Sequence, residues 1–142
     1  MNPETDRAAV DLRLSVMRLA RRLRAEREPG GLTLGRLSVL GYLERDGPAT
    51  ASALANAERI TPQSMARIVQ HLIGDGLVER GQDPADRRAS LLRITDAGRE
   101  LVLQDRRKRE AWLSEALATR LTDVERELLL LAARLLDRLA SS

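Results

Sequence analysis

Polar side chains suited to hydrogen bonding with nucleic-acid bases recur after Thr61 at helical spacing. Thr61 followed by Pro62 predicts a helix start, because a threonine oxygen accepts from free first-turn amides and proline is preset for the first helical position. Apolar residues then follow the i, i+3, i+4, i+7, i+8 spacing of one buried face, at Met65, Ile68, Val69, Leu72 and Ile73. The opposite face must carry Gln63, Ser64, Arg67, Gln70 and His71.

These side chains have the donors and acceptors that match double-stranded DNA. Arginine can bond guanine through two N–H groups, glutamine can pair with adenine, and serine can bond a base or a phosphate. The positive amino-terminal end of the helix adds attraction for a phosphate. A polar face that only meets water is the alternative for any isolated amphipathic helix. We predict that the DNA-contacting residues of this helix are Thr61, Pro62, Gln63, Ser64, Arg67, Gln70 and His71.

The flanking segments predict a helix-turn-helix followed by a β-hairpin. Thr50 or Ser52 can begin a short helix, and residues 58–60 form a tight connection to the next one, which is helix-turn-helix spacing. Gly76 suits a left-handed helix exit. A strand, a loop, a second strand and the cap of a new helix are then predicted at Leu77–Arg80, Gly81–Ala89, Ser90–Ile94 and Thr95. This context favours DNA contact over a solvated face.

The hairpin loop, named the wing here, has a charged tip in which Asp86 precedes Arg87 and Arg88. One interpretation is a surface ion pair, which contributes little to stability. The other is that Asp86 orients an arginine for insertion into the minor groove, where width and negative potential attract guanidinium groups. In that case Arg87 and Arg88 contact DNA, while Asp86 and Arg80 orient the wing.

The run LIGDGLVERGQDPADRRASLLRITDAG resembles the signature of the MarR (multiple-antibiotic-resistance regulator) family. The elements that carry the resemblance are Leu72, Gly76, Leu77, Val78, Arg80, Asp86, Arg88, Thr95 and Gly98. Ile73, Gly74 and Ile94 depart from the family pattern. The resemblance implies a mainly α fold with a small β-wing in one domain, 1–142. It places a winged helix-turn-helix at 33–98 and terminal dimerisation helices at 6–28 and 99–140.

The resemblance also implies a function. Such a protein is a sequence-specific double-stranded DNA-binding transcriptional regulator, usually a ligand-responsive repressor. It binds an inverted-repeat operator as a homodimer, with half-sites ~10 base pairs apart. A small organic effector is a further expected partner. The alternative is a winged-helix module that binds other proteins and has no specific DNA binding.

The terminal segments supply apolar surface for a second chain. A helical stripe runs from about Asp6 to Glu28, and Thr122 with Glu125 predicts a capping box before a leucine-rich helix. An internal core takes some of these leucines, but a partner chain accounts better for so many. The predicted dimerisation residues are Leu12, Val16, Leu19, Leu128, Leu131, Leu135 and Leu139.

Composition narrows the remaining classes. The chain has 142 residues, no cysteine and one histidine, His71, so thiolate and transition-metal chemistry is not expected, and no cofactor is predicted. An enzyme is disfavoured, because no nucleophile constellation or glycine-rich phosphate loop is present. Tyr42 and Trp112 are the only aromatic residues, and core packing is the more common role for such side chains than a ligand platform. The sequence shows no signal peptide and no apolar segment long enough to span a membrane, so we expect a cytoplasmic protein.

Overall fold

The computed structural model describes residues 2–26, 32–82, 84–85 and 90–141. Its helices and strands are α1 Pro3–Ala25, α2 Leu34–Asp46, α3 Ala51–Glu58, α4 Pro62–Gly74, β1 Val78–Gln82, β2 Ser90–Ile94, α5 Asp96–Arg120 and α6 Asp123–Ala140. The two strands pair antiparallel, from Val78 opposite Ile94 to Gln82 opposite Ser90. The predicted mainly α fold with a small β-wing is confirmed.

The amino-terminal helices begin at side-chain caps. Asn2 accepts from the Glu4 amide, so α1 begins at Pro3, earlier than the predicted Asp6. Thr33 caps α2 as predicted. Of the two candidates for α3, it is Thr50 that accepts from a first-turn amide, at 3.2 Å.

The caps around the hairpin also agree with the prediction. Thr61 Oγ1 accepts from the Ser64 amide at 3.1 Å, with Pro62 in the first turn of α4. Gly76 has φ +73°, the left-handed conformation expected at the exit of α4. The first strand runs from Val78 to Gln82 instead of from Leu77 to Arg80, because its ladder with β2 continues beyond Arg80.

The described chain divides into two compact units. The central unit, Glu28–Arg106, contains the hydrophobic core. Its largest fully buried side chains come from α2, α3, α4 and β2, and they are Val39, Leu40, Leu54, Met65, Leu72 and Leu92. Ala49 also pairs with Leu92 through backbone hydrogen bonds of 3.1 and 2.8 Å, which attach the segment before α3 to the hairpin. The core therefore holds the helix-turn-helix and the hairpin as one body.

The terminal unit comprises Met1–Arg27 and Arg107–Ser142. None of its described residues is buried. Large apolar side chains of α1 and α6 are instead exposed, and they include Val10, Leu12, Val16, Met17, Leu19, Val124, Leu128, Leu130, Leu131, Leu135 and Leu139. Within the described residues, no helix is both long and apolar enough to span a membrane.

Candidate nucleic-acid interface

Helix α4 divides into a buried and an exposed face as its sequence period requires. Met65, Val69 and Leu72 are at most 2% exposed, which anchors the helix to the core of the central unit. Because side chains three and four residues apart share a helix face, the polar residues lie on the other side. The exposed set is Thr61, Pro62, Gln63, Ser64, Arg67, Gln70 and His71. All the predicted α4 residues are thus accessible, and the surface that they form is named the α4 face here.

The amino-terminal end of the α4 face is organised by two hydroxyl groups. Thr61 Oγ1 accepts from the Ser64 amide and donates to Ser64 Oγ at 3.0 Å. The hydroxyl hydrogen of Ser64 is left to donate to an outside acceptor. Together with the positive end of the helix, this arrangement suits an anion such as a DNA phosphate.

Farther along the α4 face, one ring nitrogen of His71 is hydrogen-bonded within its own helix. Its Nδ1 lies 2.7 Å from the carbonyl oxygen of Arg67. A carbonyl oxygen can only accept, so Nδ1 is the donor and Nε2 is the ring nitrogen left for another partner. Within the described part of the chain, the Arg67 guanidinium has no carboxylate in ion-pair contact. Arg67 is therefore the better equipped of the two to reach a base edge.

Helix α3, which precedes α4, is fixed to the same core of the central unit. Leu54 and Ala55 of α3 are buried in the core. The Ser38 hydroxyl of α2 donates to the Glu58 carboxylate of α3 at 2.7 Å, and the Ile60 amide donates to the Ala55 carbonyl at 3.1 Å. These contacts set the angle between α3 and α4, as in a helix-turn-helix.

The predicted wing residues fall into two groups. Arg80 is exposed on β1, with Leu92 opposite it on β2. Asp86, Arg87 and Arg88 lie outside the described residues, so their predicted contacts stay predictions.

The base of the hairpin is closed by Thr95 and Gly98. The Thr95 hydroxyl donates to the Gly76 carbonyl at 2.7 Å, and the Thr95 amide donates to the Leu77 carbonyl at 3.0 Å. The Gly98 amide in turn donates to Thr95 Oγ1 at 3.1 Å. A Cβ at Gly98 would lie 2.2 Å from the Leu77 carbonyl oxygen, so any larger residue requires this backbone to shift. Sequence reasoning used Gly98 as a motif position but did not foresee this backbone contact.

The terminal unit carries the predicted dimerisation residues on its surface. Leu128, Leu131, Leu135 and Leu139 of α6 are 55–64% exposed, and the α1 positions Leu12, Val16 and Leu19 are 42–44% exposed. An apolar cavity of about 300 Å³ opens among Leu19, Leu113, Leu117, Arg126, Leu129, Leu130, Ala133 and Leu136. An exposed apolar surface of this extent is typical of an interaction site.

The two aromatic side chains have different surroundings. Tyr42 packs against the core of the central unit, in agreement with a structural role. Trp112 is only partly buried, and the Arg22 guanidinium lies 4.4 Å from its ring centroid, a cation–π distance. Among the described residues no group of three His, Cys, Asp or Glu side chains could hold a metal ion.

Comparison with known proteins gives a consistent result. The sequence pattern that defines the MarR family matches residues 30–89 of this chain. An uncharacterised HTH-type transcriptional regulator from Mycobacterium bovis is 43% identical over 130 residues, which cover 92% of this chain and 90% of the relative. A Pseudomonas aeruginosa structure described as a transcriptional regulator has a TM-score of 0.88 at 36% identity, covering 100% of this chain and 99% of that chain.

Regulation by a small molecule is known for a structural neighbour of this chain. Bordetella bronchiseptica BpsR, whose DNA binding is regulated by 6-hydroxynicotinic acid, has a TM-score of 0.68 at 23% identity and covers 92% of this chain and 98% of that chain. At that identity the likeness concerns the fold alone.

Proposed function

Because this chain belongs to the MarR family of DNA-binding transcriptional regulators, we propose that it is a repressor that binds an inverted-repeat operator as a homodimer. The family consists of transcriptional regulators and not of enzymes. The single observation that carries the finer proposal is the α4 face, where side chains able to bond base edges and phosphates are exposed on a helix anchored by its buried residues. We therefore assign α4 to the major groove.

The α4 face divides the proposed contacts into two kinds. Arg67 and Gln63 would bond base edges and so set the sequence preference. Thr61 and Ser64, at the amino-terminal end, would bond a phosphate and so set the position of the helix on the duplex. Arg88 of the wing would enter the minor groove.

The homodimer is supported by the apolar surface of the terminal unit. Leucines of α6 that are more than half exposed in a single chain would be covered by the same surface of a second chain. The apolar cavity shares this surface, since its lining residues Leu129 and Leu130 are also exposed. We therefore assign the cavity to the partner chain and not to a ligand. Two-fold symmetry then places the operator half-sites ~10 base pairs apart.

A ligand response is part of the proposal. BpsR, which shares the fold, is regulated by a small organic acid, and we propose a ligand of that general class for this chain. A ligand that binds the DNA-free form more tightly than the DNA-bound form would release the operator, because binding shifts the population between the two forms.

The test begins with selection of operator duplexes from random-sequence DNA by the purified full-length chain. Affinity is then measured by fluorescence anisotropy for the selected duplex and for a scrambled duplex of the same composition. Arg67→Ala should weaken operator binding by ~1–3 kcal/mol and relax the preference at one position. Arg88→Ala should weaken binding to both duplexes and flatten the salt dependence.

Arg45→Gln, which removes an exposed charge from the last turn of α2, is the matched control and should bind like the wild type. Recovery of no preferred sequence would reject specific DNA recognition and favour a protein-interaction module. Higher expression of a reporter from an operator-bearing promoter when the protein is present would reject the repressor role.

A further inference from the structure

The turn between α3 and α4 contains an arginine in an unfavourable backbone conformation. Arg59 has φ 55° and ψ 44°, and it is the one non-glycine residue with positive φ in the described part of the chain. For an L-residue with a side chain, this left-handed conformation brings Cβ close to a carbonyl oxygen. Glycine is the usual residue at such a position.

The hydrogen bonds around Arg59 explain why the conformation is imposed. The Ile60 amide donates to the Ala55 carbonyl at 3.1 Å, and the Arg59 amide donates to the Asn56 carbonyl at 3.3 Å. These are the bonds of a Schellman motif, which ends a helix with one left-handed residue. Ile60 packs against the core, so the turn is fixed on its inner side while Arg59 is exposed.

The exit of α4 provides an internal comparison. There the Leu77 amide donates to the Leu72 carbonyl at 2.9 Å, and the left-handed residue is Gly76. The same backbone motif thus carries glycine after α4 and arginine before it. The backbone alone gives no reason for arginine at position 59, so the reason lies in its side chain.

The side chain of Arg59 is suited to a phosphate. It is exposed, and no described residue lies in ion-pair contact with its guanidinium. Its Cα lies at most ~7.6 Å from that of Thr61, the cap at the amino-terminal end of the α4 face. A guanidinium forms two parallel bonds to phosphate oxygens, which distinguishes it from a neutral turn residue.

We propose that Arg59 clamps a DNA backbone phosphate beside the α4 face, and that the strained turn is retained because it presents this guanidinium. The inference rests on the proposed operator binding and adds to it a contact that carries no base preference. Removal of the side chain should therefore weaken DNA binding while relieving the backbone, so affinity should fall while stability stays equal or rises.

The experiment compares Arg59→Gly, Arg59→Asn and Arg59→Lys with the wild type and with the Arg45→Gln control. Operator and scrambled duplexes are titrated at several salt concentrations, and thermal midpoints are measured without DNA. In Arg59→Gly and Arg59→Asn, the slope of log K against log salt should become shallower by about 0.9 for each chain, or about 1.8 for a dimer. At 0.1 M salt this corresponds to roughly an 8-fold loss of affinity per lost contact, on both duplexes.

The thermal midpoint of Arg59→Gly and Arg59→Asn should equal that of the wild type or exceed it by up to about 5 °C, because both residues tolerate the left-handed conformation. Arg59→Lys keeps the charge and should keep most of the salt slope. The Arg45→Gln control should keep the wild-type slope. A loss on both duplexes, accompanied by an undiminished thermal midpoint, would support the clamp.

Wild-type affinity and slope in Arg59→Gly would overturn the clamp and leave the proposed function intact. An equal loss in Arg45→Gln would overturn it too, because the effect would then come from net charge. A loss confined to the operator duplex would identify Arg59 as a base reader and reject the phosphate contact. Failure of the wild-type chain to prefer any duplex would reject the proposed function together with the clamp.

Discussion

Replacing Gly98 by alanine adds one methyl group at the junction between the hairpin and α5, and it should lower the stability of the protein strongly. The added Cβ would lie 2.2 Å from the Leu77 carbonyl oxygen and 2.9 Å from Ile94 Cγ1. Ordinary contact between carbon and oxygen is about 3.3 Å or more, so the carbonyl must retreat by about 1 Å. That carbonyl accepts the Thr95 amide at 3.0 Å, and the shift breaks this bond.

The magnitude follows from two costs. Inserting a methyl group into a packed site costs about 1–3 kcal/mol, and leaving a buried donor unpaired costs about 1–3 kcal/mol. The free energy of unfolding should therefore fall by about 2–6 kcal/mol for Gly98→Ala, a large share of the roughly 5–15 kcal/mol of a typical domain. At a urea m-value of about 2 kcal/mol/M this corresponds to a midpoint lower by roughly 1–3 M. The midpoint is measured by circular dichroism at fixed protein concentration, because association of the proposed dimer would add to stability.

Gly74→Ala is the matched control. Gly74 is the last residue of α4, is exposed, and has no atom within 4 Å of the position that a Cβ would occupy. Alanine is the better helix former, so this change should leave stability equal or raise it by up to ~1 kcal/mol. Equal urea midpoints for Gly98→Ala and the wild type would refute the reasoning from the Leu77 contact.

Three further changes test other parts of the structure. Leu131 is 57% exposed in a single chain, and Leu131→Glu places a charge on the apolar surface of α6. The variant should be a monomer at micromolar concentration in sedimentation, where the wild type should be a dimer. A dimer in the variant would contradict the assignment of α6 to the interface. Hydrogen bonds from Thr122 hold the pKa of Glu125 below its usual 4.5, so its contribution to stability is present above that pH and is lost as the pH falls through the lower folded-state pKa. The thermal midpoint of wild type should therefore exceed that of Glu125→Gln at neutral pH, and the difference should vanish in acid; a constant difference would argue against it. Gly76→Ala forces a side chain into φ +73° and should cost about 1 kcal/mol in urea unfolding, whereas no change would mean that the turn relaxes.

Much of the central unit could be predicted from the sequence because the responsible interactions are local. Thr61 and Pro62 begin α4 through contacts within one turn, and the period of Met65, Val69 and Leu72 determines which face is buried. The polar α4 face follows from the same period. The mainly α fold and the family were predicted correctly on this basis.

Other features could not be read from neighbouring residues. Residues 58–60 were predicted only as a tight connection, and nothing in their sequence indicated that Arg59 would be the left-handed residue. Similarly, the strand β1 extends past Arg80 because its partner β2 continues to pair with it.

The sequence by itself determined where the helices begin, which face of α4 is polar and which residues are apolar at the chain's two ends, since caps and periodicity act over a few residues. Only the tertiary structure decided that Gly98 lies against the Leu77 carbonyl, that Arg59 takes a strained conformation beside the α4 face, and that the leucines of α6 stay uncovered in one chain. The physical reason is that the Leu77 contact joins groups distant in sequence, whose separation in space is set by the packing of the core. The turn at Arg59 has local hydrogen bonds, but it is also held by Ile60, which packs against that core.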